Sequence, residues 1–363
     1  MGFEIDFLPV GEGERGGDAI AIRWGNLHGE RSEQKVMVID GGTKESGKSL
    51  IEHIKKYYKT SQVDCVFCSH PDADHASGLT EVINSLRVGV LCLHRPWEHA
   101  QDLKDMFQNG KITGTSLKTN LKKALEDAYE LESLAKQKNI RIYEPFADDF
   151  TDKNAEIVVL SPTKDFYSVM VANFRETPQP KESITLAEKI VTAVKEAIKW
   201  VAENWGLETL TDPPENETSA ENNSSVVLLF QVEGKKFLLT GDVGVEALSK
   251  ALKKAVSLGI DLKTLNFIQI PHHGSKHNIG PSLLDSIVGE KLQEPTHLKT
   301  AFVSSPKDGD PKHPSRKVVN AFIRRGAKVI ATQGSAKVHH DSAPNREGWT
   351  TAQPLTFYDK VAE

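Results

Sequence analysis

The chain has 363 residues, room for one large domain or two ordinary ones. Its 38% hydrophobic and 26% charged residues fit a folded, water-soluble protein, and a formal net charge of −5 gives no global positive field for nucleic acid. No apolar run approaches the roughly 18–20 residues that span a bilayer, Met1–Pro9 lacks a signal-peptide pattern, and three cysteines make no disulfide framework, so the expectation is a cytoplasmic protein with no membrane partner.

The first seventy residues read as strands joined by glycine turns. Phe3–Leu8 alternates apolar and polar residues, Gly11–Asp18 is a Gly-rich turn, and Ala19–Trp24 and Lys35–Ile39 are further strands, the last stopped by Asp40-Gly41-Gly42. The Gly-rich turn lacks the Lys-Ser/Thr of a phosphate loop and no helix follows it, which argues against nucleotide binding. Lys48–Tyr58 has helical spacing, and Val63–Cys68 is a buried-strand run ending at Ser69-His70. Cys65 and Cys68 lie three apart on that strand and so face opposite sides, against a shared metal or redox role.

The middle of the chain looks helical and inserted. Ser116–Lys136 carries leucines at three-to-four spacing and predicts one helix. Strands follow at Ile140–Tyr143 and Glu156–Leu160, then a helix at Thr185–Glu203 and a polar loop at Thr211–Asn223. Strand patterns resume at Val226–Val232 and Lys236–Leu239, joined by a hairpin turn. Helix Val245–Ser257 precedes strand Leu265–Ile270, helix Arg316–Arg324 lies between strands Thr300–Val303 and Ala327–Ala331, and Leu355–Tyr358 is placed at a sheet edge. Two groups of strands flanked by helices predict a layered α/β sandwich. The expectation is a single domain over residues 1–363, with helical insertions at about 98–138 and 162–221.

Potential metal ligands recur at four strand ends. Ser69-His70-Pro71-Asp72-Ala73-Asp74-His75 packs four imidazole and carboxylate groups into six residues after a buried strand. Leu238-Leu239-Thr240-Gly241-Asp242 ends a strand in a carboxylate, and Ile268-Gln269-Ile270-Pro271-His272-His273-Gly274-Ser275 ends one in two histidines. His313 follows another strand and precedes a helix. Strand ends are where α/β sheets assemble sites.

These segments, in this order, resemble the metallo-β-lactamase superfamily. His70-x-Asp72-x-Asp74-His75 is similar to its H-x-H-x-D-H signature, with Asp72 at the second histidine's place. The nearer resemblance is to the hydrolase domain of ComEC-like competence proteins and its stand-alone relatives, on Gly17-Asp18-Ala19, Ser69–Leu79, Asn222–Val227, Leu238–Asp242, Pro271–Ser275 and His313-Pro314. The resemblance implies a four-layer αββα sandwich and two divalent ions, zinc or manganese, bridging a hydroxide. The implied ligands are His70, Asp72, Asp74, His75, Asp242 and His272, with His272 and His273 interchangeable candidates for one place. The third-motif histidine is missing, since none occurs between His99 and His272. That leaves the first ion His70, Asp72, a shared Asp242 and water, and Asp72 in the place of an imidazole makes the site harder, tilting it toward manganese or magnesium relative to zinc.

The implied activity is metal-dependent hydrolysis of phosphodiesters, as in a nuclease. Asp74 would act as ligand and proton acceptor, and His273 or His313 as proton donor. Asn223, Ser225, Ser275, Lys276 and Lys312 are candidates for substrate binding, the substrate being nucleic acid or a small phosphodiester. Two alternatives stand beside this reading: hydrolysis of a small phosphoester or other ester, and a metal-binding scaffold or sensor without turnover.

Overall fold

Side-chain alternation along the N-terminal strands decides the architecture. The computed structural model describes residues 1–11, 16–107, 112–150, 156–175, 177–178 and 199–363. In β1 (Gly2–Phe7), Phe3, Ile5 and Phe7 enter an apolar core shared with the facing sheet, while Glu4 and Asp6 lie buried on the opposite face. In β2 (Ala19–Gly25) and β3 (Gln34–Gly41), Ile20, Ile22, Met37 and Ile39 join that inner core, and Ala19, Ala21, Val36 and Val38 join the outer one. Residues of period two therefore serve two cores at once, as strands covered on both faces require.

The first sheet continues with β4 (Gln62–Phe67), β5 (Arg87–Cys92) and β6 (Arg141–Tyr143) and runs β14-β1-β2-β3-β4-β5-β6, where β14 is Lys337–Asp341. Leaving out β8 (Trp200–Ala202), the second sheet holds β7 (Ile157–Ser161), β9 (Val227–Val232), β10 (Lys235–Leu239), β11 (Phe267–Gln269), β12 (Lys299–Val303) and β13 (Ala327–Ala331), in the order β13-β12-β11-β10-β9-β7. Each sheet is antiparallel in part and parallel from β3 to β6 and from β10 to β13. Between the sheets, Phe7 packs against Phe267 and Phe302 with ring centroids 5.9 and 5.4 Å apart.

Outside the first sheet lie α1 (Lys44–His53) and α2 (Ala73–Ser85), followed in the chain by α3 (Ala100–Leu103), α4 (Gly114–Ala124) and α5 (Glu126–Gln137). The second half contributes α6 (Lys164–Ala172), α7 (Ala220–Asn223), α8 (Val245–Ser257), α9 (Pro281–Ile287) and α10 (Arg316–Arg324). Leu248 and Ala251 of α8 and Val319 and Phe322 of α10 share the outer core with Leu238, Ile268 and Ala301. The result is the expected four-layer αββα sandwich.

Several elements differ from the expectation. The single helix over Ser116–Lys136 is two helices that break at Leu125, whose φ and ψ of −118° and 48° leave the helical region. Leu125 is buried, and α4 packs on α3 while α5 packs on α2, so one straight helix would not meet both partners. Most of the helix expected at Thr185–Glu203 lies outside the described residues, and its end is instead β8, paired with β15 (Lys360–Ala362). The Thr211–Asn223 loop ends in α7, capped by Ser219. Leu355–Tyr358 forms no strand, and the edge beside β1 is filled by β14, whose polar sequence hid it. Cys65 and Cys68 do face opposite cores, and all three thiols are free.

Candidate metal centre

The sheets end together at one rim. Asp40, next to last in β3, is held at φ 54°, a left-handed conformation that Asp tolerates better than most residues. After β4 the chain runs through Ser69 and His70 into α2, with Asp72 at its N-cap position and Asp74 in its first turn. Asp242 follows β10 after Thr240 and Gly241. After β11, His272, His273 and Gly274 take φ values of 46°, 54° and 79° in succession. Backbone held this way is a cost that clusters at functional sites. Here the turn folds both imidazoles back toward Asp242.

Four imidazoles converge on one oxygen. Asp242 Oδ2 lies 3.4 Å from Nε2 of His75, 3.6 Å from that of His273, 3.8 Å from that of His272 and 4.0 Å from that of His70. Each ring is oriented through its other nitrogen. Nδ1 of His75 pairs with Asp40 Oδ2 at 2.8 Å, that of His273 with the Ser304 carbonyl at 3.0 Å, and that of His272 with Asn278 Oδ1 at 2.9 Å. His70 Nδ1 meets Ser69 Oγ at 3.0 Å, and that hydroxyl donates to Asp40 Oδ2 at 2.5 Å. With acceptors taking the Nδ1 protons, each ring in its neutral form turns an Nε2 lone pair to the centre, the arrangement of metal-ligating histidines.

Nε2 of His70, His75 and His273 and Oδ1 of Asp242 are buried without a hydrogen-bond partner. Buried polar atoms are otherwise almost always paired, so this set fits a divalent cation. Ligand atoms of Asp74, His75 and His273 lie within 4.8 Å of one another, as do those of Asp18, His75 and Asp242 and those of Asp40, His70 and His75. Imidazole with carboxylate is the donor set of zinc, manganese or iron.

The electrostatics agree. Burial alone would raise the Asp242 pKa, but the surrounding His75, His273 and His272 hold it well below the usual carboxylate range. Burial alone would lower His75, and Asp242 and Asp40 outweigh it and hold it well above an ordinary histidine. His70 is pushed down by burial and by His75. Burial raises Asp18 to about 6. The concentration of negative charge around His75 favours a cation there.

The structure thus brings His70, Asp74, His75, Asp242, His272 and His273 together. It places His273, the expected proton donor, in the tight group with Asp74 and His75, and puts His272, the expected ligand, at the more open edge. Asp72 directs Oδ2 to His70 Nε2 at 3.7 Å. His313 lines the cleft beside His272, and burial with the neighbouring histidines lowers it to about 4. At neutral pH it is a neutral imidazole.

Three of the expected substrate contacts are otherwise engaged. Asn223 is fully buried, its amide donating to the Thr218 carbonyl and accepting from the Gly244 amide. Ser225 Oγ accepts from the Asp242 amide at 3.3 Å and so positions that carboxylate. Ser275 is buried and accepts from the His277 amide. Lys276 reaches the Glu363 carbonyl, and Lys312 is exposed. The open cleft has a volume of about 550 Å³ and is lined by Gly11, Gly16, Asp74, His272, His273 and His313. Sequence reasoning missed the orienting roles of Asp40 and Asn278 and the place of Asp18 beside His75 and Asp242. Asp40 was visible as a carboxylate at a strand end before Gly-Gly, and Asp18 within Gly-Asp-Ala.

A family model described as "Metallo-beta-lactamase superfamily" matches residues 30–285. Among curated proteins, ComE operon protein 3 of Bacillus subtilis (strain 168) is 27% identical over 142 residues, 39% of this chain and 16% of that protein. The match thus spans about a sixth of that relative's length. Among solved structures, the metallo-beta-lactamase fold protein YhfI from Bacillus subtilis is 8% identical, with 94% of this chain and all of that chain covered and a TM-score of 0.44. A diphosphatase from the PhnP family is 9% identical, covering 94% of this chain and 99% of its own, with a TM-score of 0.40.

Proposed function

The chain belongs to the metallo-β-lactamase superfamily, and on that premise we propose that it is a metal-dependent hydrolase of phosphodiester bonds. The observation that carries the metal is the convergence of four Nε2 atoms within 4.0 Å of Asp242 Oδ2, three of them buried without partners. His75, Asp74, Asp242 and His273 would hold a divalent ion, with His70 and Asp72 on the adjoining side. Such an ion supplies a hydroxide nucleophile near neutral pH and charge for an anionic transition state.

The chain's own groups supply the rest. Asp40, through Ser69 and His75, and Ser304, through His273, keep the rings in the tautomer that presents Nε2. Asp74 faces the cleft and can take the proton of an attacking water. His313 lines the same cleft beside His272, within reach of a group bound there. The carboxylates Asp72, Asp74 and Asp242 among the donors suit the harder ions, manganese and magnesium, that also bind phosphate oxygen. This supports the phosphodiester reading, and nuclease action within it.

A second reading, a small phosphoester, draws on the cleft's volume of about 550 Å³, which is of the order that encloses a small molecule. One panel separates them. Single-stranded and double-stranded DNA, RNA and bis(p-nitrophenyl) phosphate are each offered with zinc, manganese and magnesium, and the salt dependence is recorded. The proposal expects turnover of at least one phosphodiester, and a nuclease expects binding that falls steeply with salt as counterions are released. Turnover of carboxylic esters alone would sink the phosphodiester reading. The Asp242→Asn variant should lose bound metal and turnover together.

A further inference from the structure

We propose that Arg175 is a positioning residue that fixes Asp72 for the His70 side of the metal centre, a place the histidine-poor middle of the chain leaves thinly supplied. This rests on the metal-centre reading above, and not on the choice of substrate. Arg175 follows α6, in the part of the second half that lies between β7 and β9. Its guanidinium donates to Asp72 Oδ1. The other oxygen, Oδ2, then faces His70 Nε2 at 3.7 Å.

Among the described residues nothing else holds that carboxylate. Asp72 occupies the N-cap of α2, yet its side chain caps no backbone amide. A carboxylate with 21% of its side chain exposed and no second partner would swing between rotamers at the helix start.

Arg175 is itself anchored. Its backbone amide donates to Glu221 Oε1 at 2.6 Å, and its Nε lies 3.6 Å from the same oxygen. Glu221 is buried within α7, beside Asn222, whose Nδ2 lies 3.4 Å from His272 Nδ1. A line of contacts therefore runs from buried Glu221 through Arg175 and Asp72 to the unpartnered Nε2 of His70. The guanidinium suits this work because its planar fork offers several donors in fixed geometry, so one side chain can serve two carboxylates.

The contact adds little to the stability of the fold. The Arg175 side chain is 55% exposed, and ion pairs at such a surface are screened by water and salt. Its consequence lies in ligand orientation. Groups that orient a ligating carboxylate or histidine change metal affinity about 10–100-fold when removed.

The test is manganese binding to the full chain by calorimetric titration, with metal content after dialysis, for the wild type, Arg175→Gln, Arg175→Lys, Asp72→Ala and the Asp72→Ala/Arg175→Gln double variant. Circular dichroism checks the fold of each. The expected result is that Arg175→Gln weakens the same binding event that Asp72→Ala weakens, by about 10–100-fold. The lysine variant should retain part of it, and the double variant should bind no more weakly than Asp72→Ala alone, as coupled residues require. Wild-type binding in Arg175→Gln, additive losses in the double variant, or unchanged binding in Asp72→Ala would each overturn the proposal. Asp242→Asn separates the two levels of failure, because unchanged metal binding in that variant would instead remove the centre itself.

Discussion

Asp40 does more for the centre than its position at a strand end suggests. Its Oδ1 accepts from the Ser69 amide at 2.7 Å, and its Oδ2 meets both the Ser69 hydroxyl and His75 Nδ1. One carboxylate thus sets two imidazoles. Replacement by Asn keeps the shape and tolerates φ 54°, but supplies one acceptor where three bonds need two. We expect Asp40→Asn to lower metal affinity about 10–100-fold with the fold intact, read by competition with a chelator. A second buried carboxylate serves stability. Asp6 accepts from Arg346 Nη1 at 2.6 Å and Tyr58 Oη at 2.6 Å, with His53 Nε2 at 3.2 Å. Burial raises its pKa, yet Arg346 and His53 outweigh that and bring it to about 2, below the ordinary 3.8. A depressed folded-state pKa means stability that is present above the unfolded value and lost as pH falls through about 2. The contribution is about 2 kcal/mol. Urea titrations should show the wild type losing that increment between pH 4 and pH 2, and Asp6→Asn, lacking the group, should show a shallower loss.

At the scale of elements, Gly78 lets α2 approach the end of β3, and Gly47 lets α1 approach α2. A Cβ on Gly78 would stand 2.0 Å from the Gly41 carbonyl oxygen and 2.5 Å from that of Thr43, and one on Gly47 would stand 2.3 Å from the Gly78 carbonyl oxygen. The opposing atoms are backbone and cannot rotate away. Gly78→Ala should therefore cost about 3 kcal/mol, the upper end for overpacking. Because Asp74 and His75 ride on the same helix, metal affinity should fall with it. Urea unfolding and metal titration on one preparation check both, and a stability loss with unchanged affinity would show that the helix moves without its ligands. The H-x-x-G-L spacing was legible as a motif, but nothing in it says which backbone the glycine must meet. The break between α4 and α5 was likewise hidden, since both halves keep the same apolar periodicity and only their different partners, α3 and α2, separate them.

For the whole molecule, the centre joins the two halves of the sandwich. His70 and His75 come from the first sheet's rim, and Asp242 and His273 come from the second's, so an ion held by all four ties the halves together. Binding to the native state alone stabilises it, by about 2.7 kcal/mol at a hundredfold excess over Kd. The melting temperature should rise with manganese or zinc and fall with chelator, and Asp242→Asn should abolish the response. On the far side, the segment around Arg346 is clamped to β1, with its guanidinium 4.7 Å from the Tyr57 ring and 4.8 Å from the Trp349 ring. Arg346→Ala leaves Asp6 and Glu4 buried beside an absent partner and should cost about 3–5 kcal/mol, measured by urea unfolding.

The sequence alone determined the sandwich and the segments that gather at the candidate centre, because alternating apolar residues and strand-end His and Asp are local patterns written in adjacent positions. It also disclosed the missing histidine, which is a matter of counting. Tertiary structure alone decided which of His272 and His273 enters the tight group, because consecutive left-handed residues point neighbouring rings in different directions. It decided that Asn223 and Ser225 support the site from behind, since their partners lie at Thr218, Gly244 and Asp242. It also set Arg175 against Asp72, 103 residues away, a contact between charges whose separation along the chain leaves no periodic trace.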